Sequence, residues 1–151
     1  MVRSLVVVST TIVAMGCRGE GTMPISPTSM METRVVFPAN GETIFRTGRN
    51  QEGIVMQDLA KSDMPMAHSC VSCHGPSGEG MPTSMMGRSA PSITFRDLSD
   101  PRQHRVPYTE ALLKRFLDTE LKSDGTAART GVAWKMSEAD KDDLIAFLKT
   151  L

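Results

Sequence analysis

The stretch Cys70-Val71-Ser72-Cys73-His74 decides how this 151-residue sequence is interpreted. It has the form C-x-x-C-H, which is the attachment sequence for a c-type haem. Two thiols three positions apart can span the two vinyl groups at one edge of a porphyrin as thioethers, and the imidazole that follows is then held beneath the iron as its proximal ligand. The motif therefore predicts one covalent haem c, held by Cys70, Cys73 and His74.

Three other interpretations of the cysteine pair fit the sequence less well. A thioredoxin-like redox pair would lie in a βαβ pattern, whereas the loop Gly75-Pro76-Ser77-Gly78-Glu79-Gly80 follows this pair. A zinc site needs a second pair of ligands, and the sequence contains no other C-x-x-C and no H-x-x-x-H. A structural disulfide would not require His74.

Around this motif the chain resembles the class I cytochromes c, from about residue 35 to residue 151. The segments that carry the resemblance are, in chain order, Asn40-Gly41-Glu42-Thr43-Ile44-Phe45, Cys73-His74-Gly75-Pro76-Ser77-Gly78, Ala90-Pro91-Ser92-Ile93 and the stretch from Trp134 to Leu151. The resemblance implies a mostly α-helical, cytochrome c-like fold with long loops around one haem. It also implies that an N-terminal helix crosses a C-terminal helix and that the Pro91 stretch lies on the proximal side.

The periodicity of the apolar residues agrees with this architecture. Ser137 is a good N-cap with an acid three residues on, and Leu144, Leu148 and Leu151 recur on one helical face. We expect that face to pack on Ile44 and Phe45. A further helix is predicted from Thr109 to about Leu121, with the stripe Leu112, Leu113, Phe116, Leu117 and Leu121. No segment shows the sustained alternation of a strand.

The sixth ligand of the iron would decide whether the protein shuttles electrons or binds small molecules. In the subfamily that this chain resembles, a Met-Pro-x-Trp-x-Met pattern precedes the last helix, and only Trp134-x-Met136 is kept here. We predict Met136 as the distal ligand because it is the only Met after residue 86 and lies just before the terminal helix. An apolar residue there could instead staple onto the first helical turn. The alternatives are then no protein ligand or one of Met81, Met85, Met86 and His104.

Several neighbouring features carry weaker hypotheses. Trp134 is expected beside the haem, with Arg129 and Lys135 as candidate propionate partners. Met64-Pro65-Met66-Ala67-His68 has soft ligands that suit Cu(I), although a plain loop is the simpler interpretation. The 46–69 stretch is an insertion relative to compact class I cytochromes, and it is expected to form an ordered loop or short hairpin.

The beginning of the chain predicts export. The apolar run over residues 5–13 has the length of a signal-peptide core and is well short of the roughly 20 residues that cross a bilayer. Small residues three and one positions before Cys17 predict a signal peptide over 1–16. Ala14-Met15-Gly16-Cys17 also resembles the bacterial lipobox, which implies lipidation of Cys17. An ordinary secreted protein with an incidental cysteine is the other interpretation.

The domain organisation and the charge balance restrict the function further. Residues 17–34 read as a tether rich in Gly, Pro, Ser, Thr and Met, and 35–151 as the cytochrome c domain. The charges of seventeen basic and seventeen acidic side chains give a formal net charge of zero, which argues against a nucleic-acid binder. No carboxylate pair, nucleophile–base pair or second cofactor motif occurs, so an electron carrier is favoured over an enzyme.

We therefore expect an exported, monohaem c-type cytochrome of the bacterial envelope that transfers single electrons between a redox donor and a redox acceptor. It would be attached to a membrane by lipid on Cys17, as a monomer or as a subunit of a respiratory complex. One alternative is a haem protein that binds CO, NO or O₂ because its iron lacks a sixth protein ligand. Another is an electron-transfer subunit that docks on a larger oxidoreductase through the 46–69 insertion.

Overall fold

Five helices form the regular structure of the computed structural model, which describes residues 38–63, 69–83 and 89–151. They are α1 (Pro38–Thr47), α2 (Cys70–His74), α3 (Phe95–Leu98), α4 (Glu110–Thr119) and α5 (Glu138–Leu148). The β-pairing within those ranges consists of isolated bridges. The mostly helical, cytochrome c-like fold predicted from the sequence is confirmed. The predicted signal peptide 1–16, Cys17 and the predicted tether 17–34 lie outside the described residues, as do the 64–68 stretch, Met85 and Met86.

Side-chain caps fix where the predicted helices begin. The Thr109 hydroxyl accepts from the Leu112 N–H at 3.2 Å, and α4 starts at the next residue. The Ser137 hydroxyl accepts from the Asp140 N–H at 3.1 Å at the start of α5. Helix α4 ends two residues before its predicted end because Glu120 adopts a left-handed conformation with φ of 54°.

Helices α1 and α5 cross at closely packed faces, as the apolar pattern predicts. The rings of Phe45 and Phe147 lie 5.3 Å apart, and Ile44 and Phe45 are completely buried. The crossing depends on Gly41, because a Cβ at this position would overlap the carbonyl oxygen of Asp143. A larger residue would force the two helices apart.

Ion pairs join α4 to α5 on the outer side of the core. The Lys141 ammonium, whose side chain is only 3% exposed, lies 2.8 Å from the Asp118 carboxylate and 2.5 Å from that of Glu138. Lys149 of the α5 C-cap pairs with Glu110 at 2.5 Å. The two helices are therefore linked near both ends of α4.

The first part of the predicted insertion is ordered and contributes to the core. After α1 the chain turns at 50–53, where the Gly53 N–H donates to the Asn50 carbonyl oxygen at 2.9 Å. Met56 then enters the core and is 1% exposed. One isolated antiparallel bridge joins Arg49 and Val55 across the turn. The described part of the predicted insertion, residues 46–63, is therefore an ordered loop, and residues 64–68 lie outside the described residues.

Candidate functional site

The two cysteines lie on one short helix that ends at a glycine. Because residues three apart on a helix share a face, Cys70 and Cys73 of α2 lie on the same side. Both thiols are free and partly buried. Gly75 ends the helix with φ of 77°, and its N–H donates to the Val71 carbonyl oxygen at 3.1 Å. Only glycine adopts this conformation without strain.

The ionisation of the thiols argues against redox cysteine chemistry. Burial raises the pKa of Cys70 to about 12, and it also raises the pKa of Cys73. A catalytic C-x-x-C needs a lowered thiol pKa, because the thiolate is the nucleophile. Both sulfurs are therefore neutral thiols near pH 7, unlike a thioredoxin-like pair.

The ring of His74 is oriented by a hydrogen bond to the backbone. Nδ1 of His74 lies 2.7 Å from the carbonyl oxygen of Pro91. Since a carbonyl oxygen can only accept, Nδ1 carries the proton and Nε2 keeps a lone pair for a metal. Burial lowers the pKa of His74 and outweighs the opposing effect of the Pro91 bond, which favours the neutral ligand form. Such a partner on the second nitrogen is typical of metal-binding histidines.

A glycine allows the Pro91 segment to lie this close to α2. The Gly80 N–H donates to the His74 carbonyl oxygen at 2.9 Å, while Met81 and Ala90 exchange two backbone hydrogen bonds of 2.9 and 2.8 Å. A Cβ on Gly80 would lie 2.6 Å from the Ala90 carbonyl oxygen and 2.7 Å from the Pro91 carbonyl carbon. The glycine-rich loop thus brings the acceptor of the His74 bond into place. The expectation that the Pro91 stretch lies on the proximal side agrees with this contact.

The residues around α2 fit a haem c. Partly buried apolar side chains from five segments pack against the core, namely Cys70, Val71, Ile93, Phe95, Leu112, Phe116, Trp134, Met136 and Leu151. A porphyrin needs such an apolar surface, two neutral thiols on one face, and an imidazole with a free Nε2. The described residues supply all three. Trp134 and Met136 belong to this set, and their roles beside the haem stay predictions.

Met136 lies at the end of the segment that leads into α5. It is partly buried against the core and directly precedes the N-cap Ser137. A hydrophobic staple would need an apolar residue at the fourth helical position, but that position holds Lys141. The competing interpretation of Met136 as a staple therefore lacks its usual partner.

The other described candidates for the sixth ligand have other surroundings. Met81 pairs through its backbone with Ala90, the residue before Pro91, whose carbonyl contacts His74. His104 is partly buried and lies edge-on against Tyr108, with ring centroids 5.2 Å apart. The ring of His104 is therefore packed against Tyr108.

The basic residues proposed for the propionates are on the surface. Arg129 and Lys135 are both exposed, and Arg129 lines a groove of about 270 Å³ with two acidic residues, Asp63 and Glu120. Their role toward a haem stays a prediction.

Comparison with known proteins identifies one family. The family model described as Cytochrome c matches residues 39–151, a range that includes the cysteine pair, His74 and Met136. The searches of curated proteins and of solved structures returned no match. Within residues 38–63, 69–83 and 89–151, no helix has the length and apolar character to cross a bilayer.

Proposed function

The chain belongs to the cytochrome c family, whose members carry covalent haem c and transfer electrons, and on that basis we propose that it is a monohaem carrier between two redox proteins of the bacterial envelope. The observation that carries the proposal is the Nδ1 contact of His74 with Pro91 at 2.7 Å, beside a helix that presents Cys70 and Cys73 on one face. That bond leaves the lone pair of Nε2 available to a haem iron. The haem supplies reversible one-electron chemistry between ferrous and ferric iron.

Each residue of the motif has a defined role in this proposal. Cys70 and Cys73 would hold the haem through two thioethers, each made by adding S–H across one vinyl group so that sulfur bonds to one carbon and hydrogen to the other, without net oxidation. The two thioethers hold the cofactor outside the cytoplasm, where a lost haem could not be replaced. His74 would ligate the iron through Nε2, and the Nδ1 bond to Pro91 would keep the ring oriented and more basic.

Met136 is proposed as the sixth ligand. A thioether is a soft ligand that favours ferrous iron and raises the reduction potential. Its partial burial beside Trp134 and the lack of a staple partner support this assignment. With both axial positions filled, the iron would exchange electrons without binding substrate, which is the behaviour of a carrier rather than an enzyme.

The ligand assignment is tested by replacing Met136 with Leu and recording the spectrum of the oxidised protein. We expect loss of the weak band at about 695 nm that marks Met–iron bonding, together with a lower reduction potential. Met81→Leu is the matched control, because Met81 is the other described methionine among the candidate sixth ligands. A band that survives in Met136→Leu, or that disappears in Met81→Leu, contradicts the assignment. Rapid CO binding by the ferrous wild type would indicate an open sixth position and a ligand-binding protein instead.

Export and membrane attachment are part of the same proposal. Residues 1–16 would be removed as a signal peptide, Cys17 would carry the lipid, and 17–34 would tether the cytochrome to the membrane. Cys17→Ser should move the haem-containing protein from the membrane fraction to the soluble envelope fraction. Equal membrane association of both forms would refute the lipid anchor. A partner subunit that copurifies at high salt would show that the protein is a docked subunit rather than a free carrier.

A further inference from the structure

Residues 49–63, which we call the strap, pair with the segment that precedes Met136. The strap runs antiparallel to this segment, as the bridge between Gln57 and Trp134 shows. Three backbone hydrogen bonds join the two: Lys135 N–H to the Met56 oxygen (2.7 Å), Asp58 N–H to the Ala133 oxygen (2.9 Å) and Asp63 N–H to the Gly131 oxygen (3.1 Å).

A side chain adds a fourth connection. The hydroxyl of Ser62 accepts from the Ala133 N–H at 3.0 Å and donates to the Asp58 carbonyl oxygen at 2.8 Å. Ser62 therefore links the strap to the middle of 131–135 and also closes the turn of the strap itself. It is partly buried, so water does not compete freely for these bonds.

The opposite end of the strap is anchored in the core. The Gln51 N–H donates to the side-chain oxygen of Asn40 at 2.8 Å, and the amide of Asn40 donates to Asp140 at 3.1 Å and to Asp143 at 2.9 Å. These last two residues are buried on α5. Together with the buried Met56, this network fixes the strap to the crossing of α1 and α5.

We propose that the strap positions Met136, and that Ser62 is its principal positioning side chain. This inference rests on the proposed role of Met136 as the sixth ligand. Movement of the 131–135 segment would carry Met136 away from the iron, and this segment cannot separate from the strap without breaking these hydrogen bonds. The strap therefore favours the state in which Met136 stays in place, and it gives the first part of the 46–69 insertion a function.

The experiment measures how readily an added ligand displaces Met136. Imidazole is titrated into the oxidised holoprotein, where its apparent affinity rises with the fraction of molecules in which Met136 has left the iron. Ser62→Ala removes hydrogen bonds that favour the closed state, so we expect imidazole to bind about five-fold more tightly. Ser99→Ala is the matched control. Like Ser62, Ser99 donates its hydroxyl to the carbonyl oxygen four residues earlier, here that of Phe95 at 2.8 Å, but it does not contact the strap. It should bind imidazole like the wild type.

Amide hydrogen exchange provides a readout that does not depend on the iron ligand. The Lys135 N–H bonds to Met56, which the substitution does not alter, so faster exchange at Lys135 in Ser62→Ala reports movement of the segment itself. Exchange at the core residue Leu144 should stay unchanged, which excludes general destabilisation. Unchanged exchange at Lys135 would overturn the inference.

The imidazole titration of Met136→Leu separates the two proposals. If this variant binds imidazole no more tightly than the wild type, the ligand role of Met136 fails and the inference falls with it. If it binds imidazole much more tightly while Ser62→Ala matches Ser99→Ala, the ligand role stands and the strap alone is refuted.

Discussion

Replacing Gly80 with Ala should disturb the orientation of His74 from a distance. Gly80 has φ of 89° and lies against the backbone of Ala90 and Pro91. The new Cβ would lie 2.6 to 2.8 Å from three backbone atoms of the 90–92 segment. Because backbone atoms cannot swing aside as a side-chain tip can, the segment has to shift, and the Pro91 carbonyl shifts away from Nδ1 of His74 with it.

Two costs contribute to the expected destabilisation. A non-glycine residue at this φ costs about 1–3 kcal/mol in backbone strain, and forcing a methyl group into a packed site costs about 1–3 kcal/mol more. Gly125 supplies the matched control, since its φ is 85° and nothing lies within 4 Å of its Cβ position. Gly125→Ala should therefore show the strain alone, and Gly80→Ala should be less stable than it by about 1–3 kcal/mol.

Urea unfolding of the holoproteins measures this difference, with the fluorescence of Trp134, the only Trp, as the signal. The reduction potential gives a second readout. A weaker Nδ1 bond makes His74 a less basic ligand, which stabilises ferric iron less and raises the potential. Gly80→Ala should show this rise and Gly125→Ala should not. Equal stability and equal potentials in the two variants would refute the role of Gly80.

Two further predictions test other parts of the structure. Gly41→Ala would gain about 1 kcal/mol of helix propensity. The clash of the new Cβ with the α5 backbone should outweigh this gain and lower the free energy of unfolding by about 2 kcal/mol overall. A stabilised variant would contradict the close crossing of α1 and α5. Hydrogen bonds from Arg102 lower the pKa of Asp100 from 3.8 to about 2, so its contribution to stability is complete above the ordinary pKa and is lost as the pH falls toward 2. Asp100→Asn should flatten the fall in the free energy of unfolding between about pH 4 and pH 2. If the variant loses stability over this pH range as steeply as the wild type, Asp100 does not cause the fall.

The sequence was most informative where local chemistry determines the structure. Ser137 and Thr109 cap α5 and α4 as predicted, because an N-cap depends on a side chain and the amides two or three residues away. The motif that begins at Cys70 could also be recognised from the sequence, because the spacing of its two cysteines and its histidine specifies covalent haem attachment. The short helix α3 was missed, although Thr94 and Asp97 provide the same type of cap at 3.3 Å.

The remaining features depend on contacts between distant segments. The hydrogen-bond acceptor of His74 is the backbone carbonyl of Pro91. This carbonyl can lie close to His74 because Gly80 has no side chain to hold the 90–92 segment away. No periodic pattern in the sequence encodes such a contact. The pairing of Ser62 with Ala133 spans 71 residues, so the strap could be recognised as an insertion but its partner could not.

A potentiometric titration of the purified holoprotein tests the central claim most directly. The haem absorption is followed while the potential is stepped in both directions. The account predicts one fully reversible transition that fits a single one-electron Nernst curve, in a protein whose haem stays bound after acid denaturation through Cys70 and Cys73. Two transitions, a two-electron slope, or haem that is released on denaturation would contradict a monohaem electron carrier.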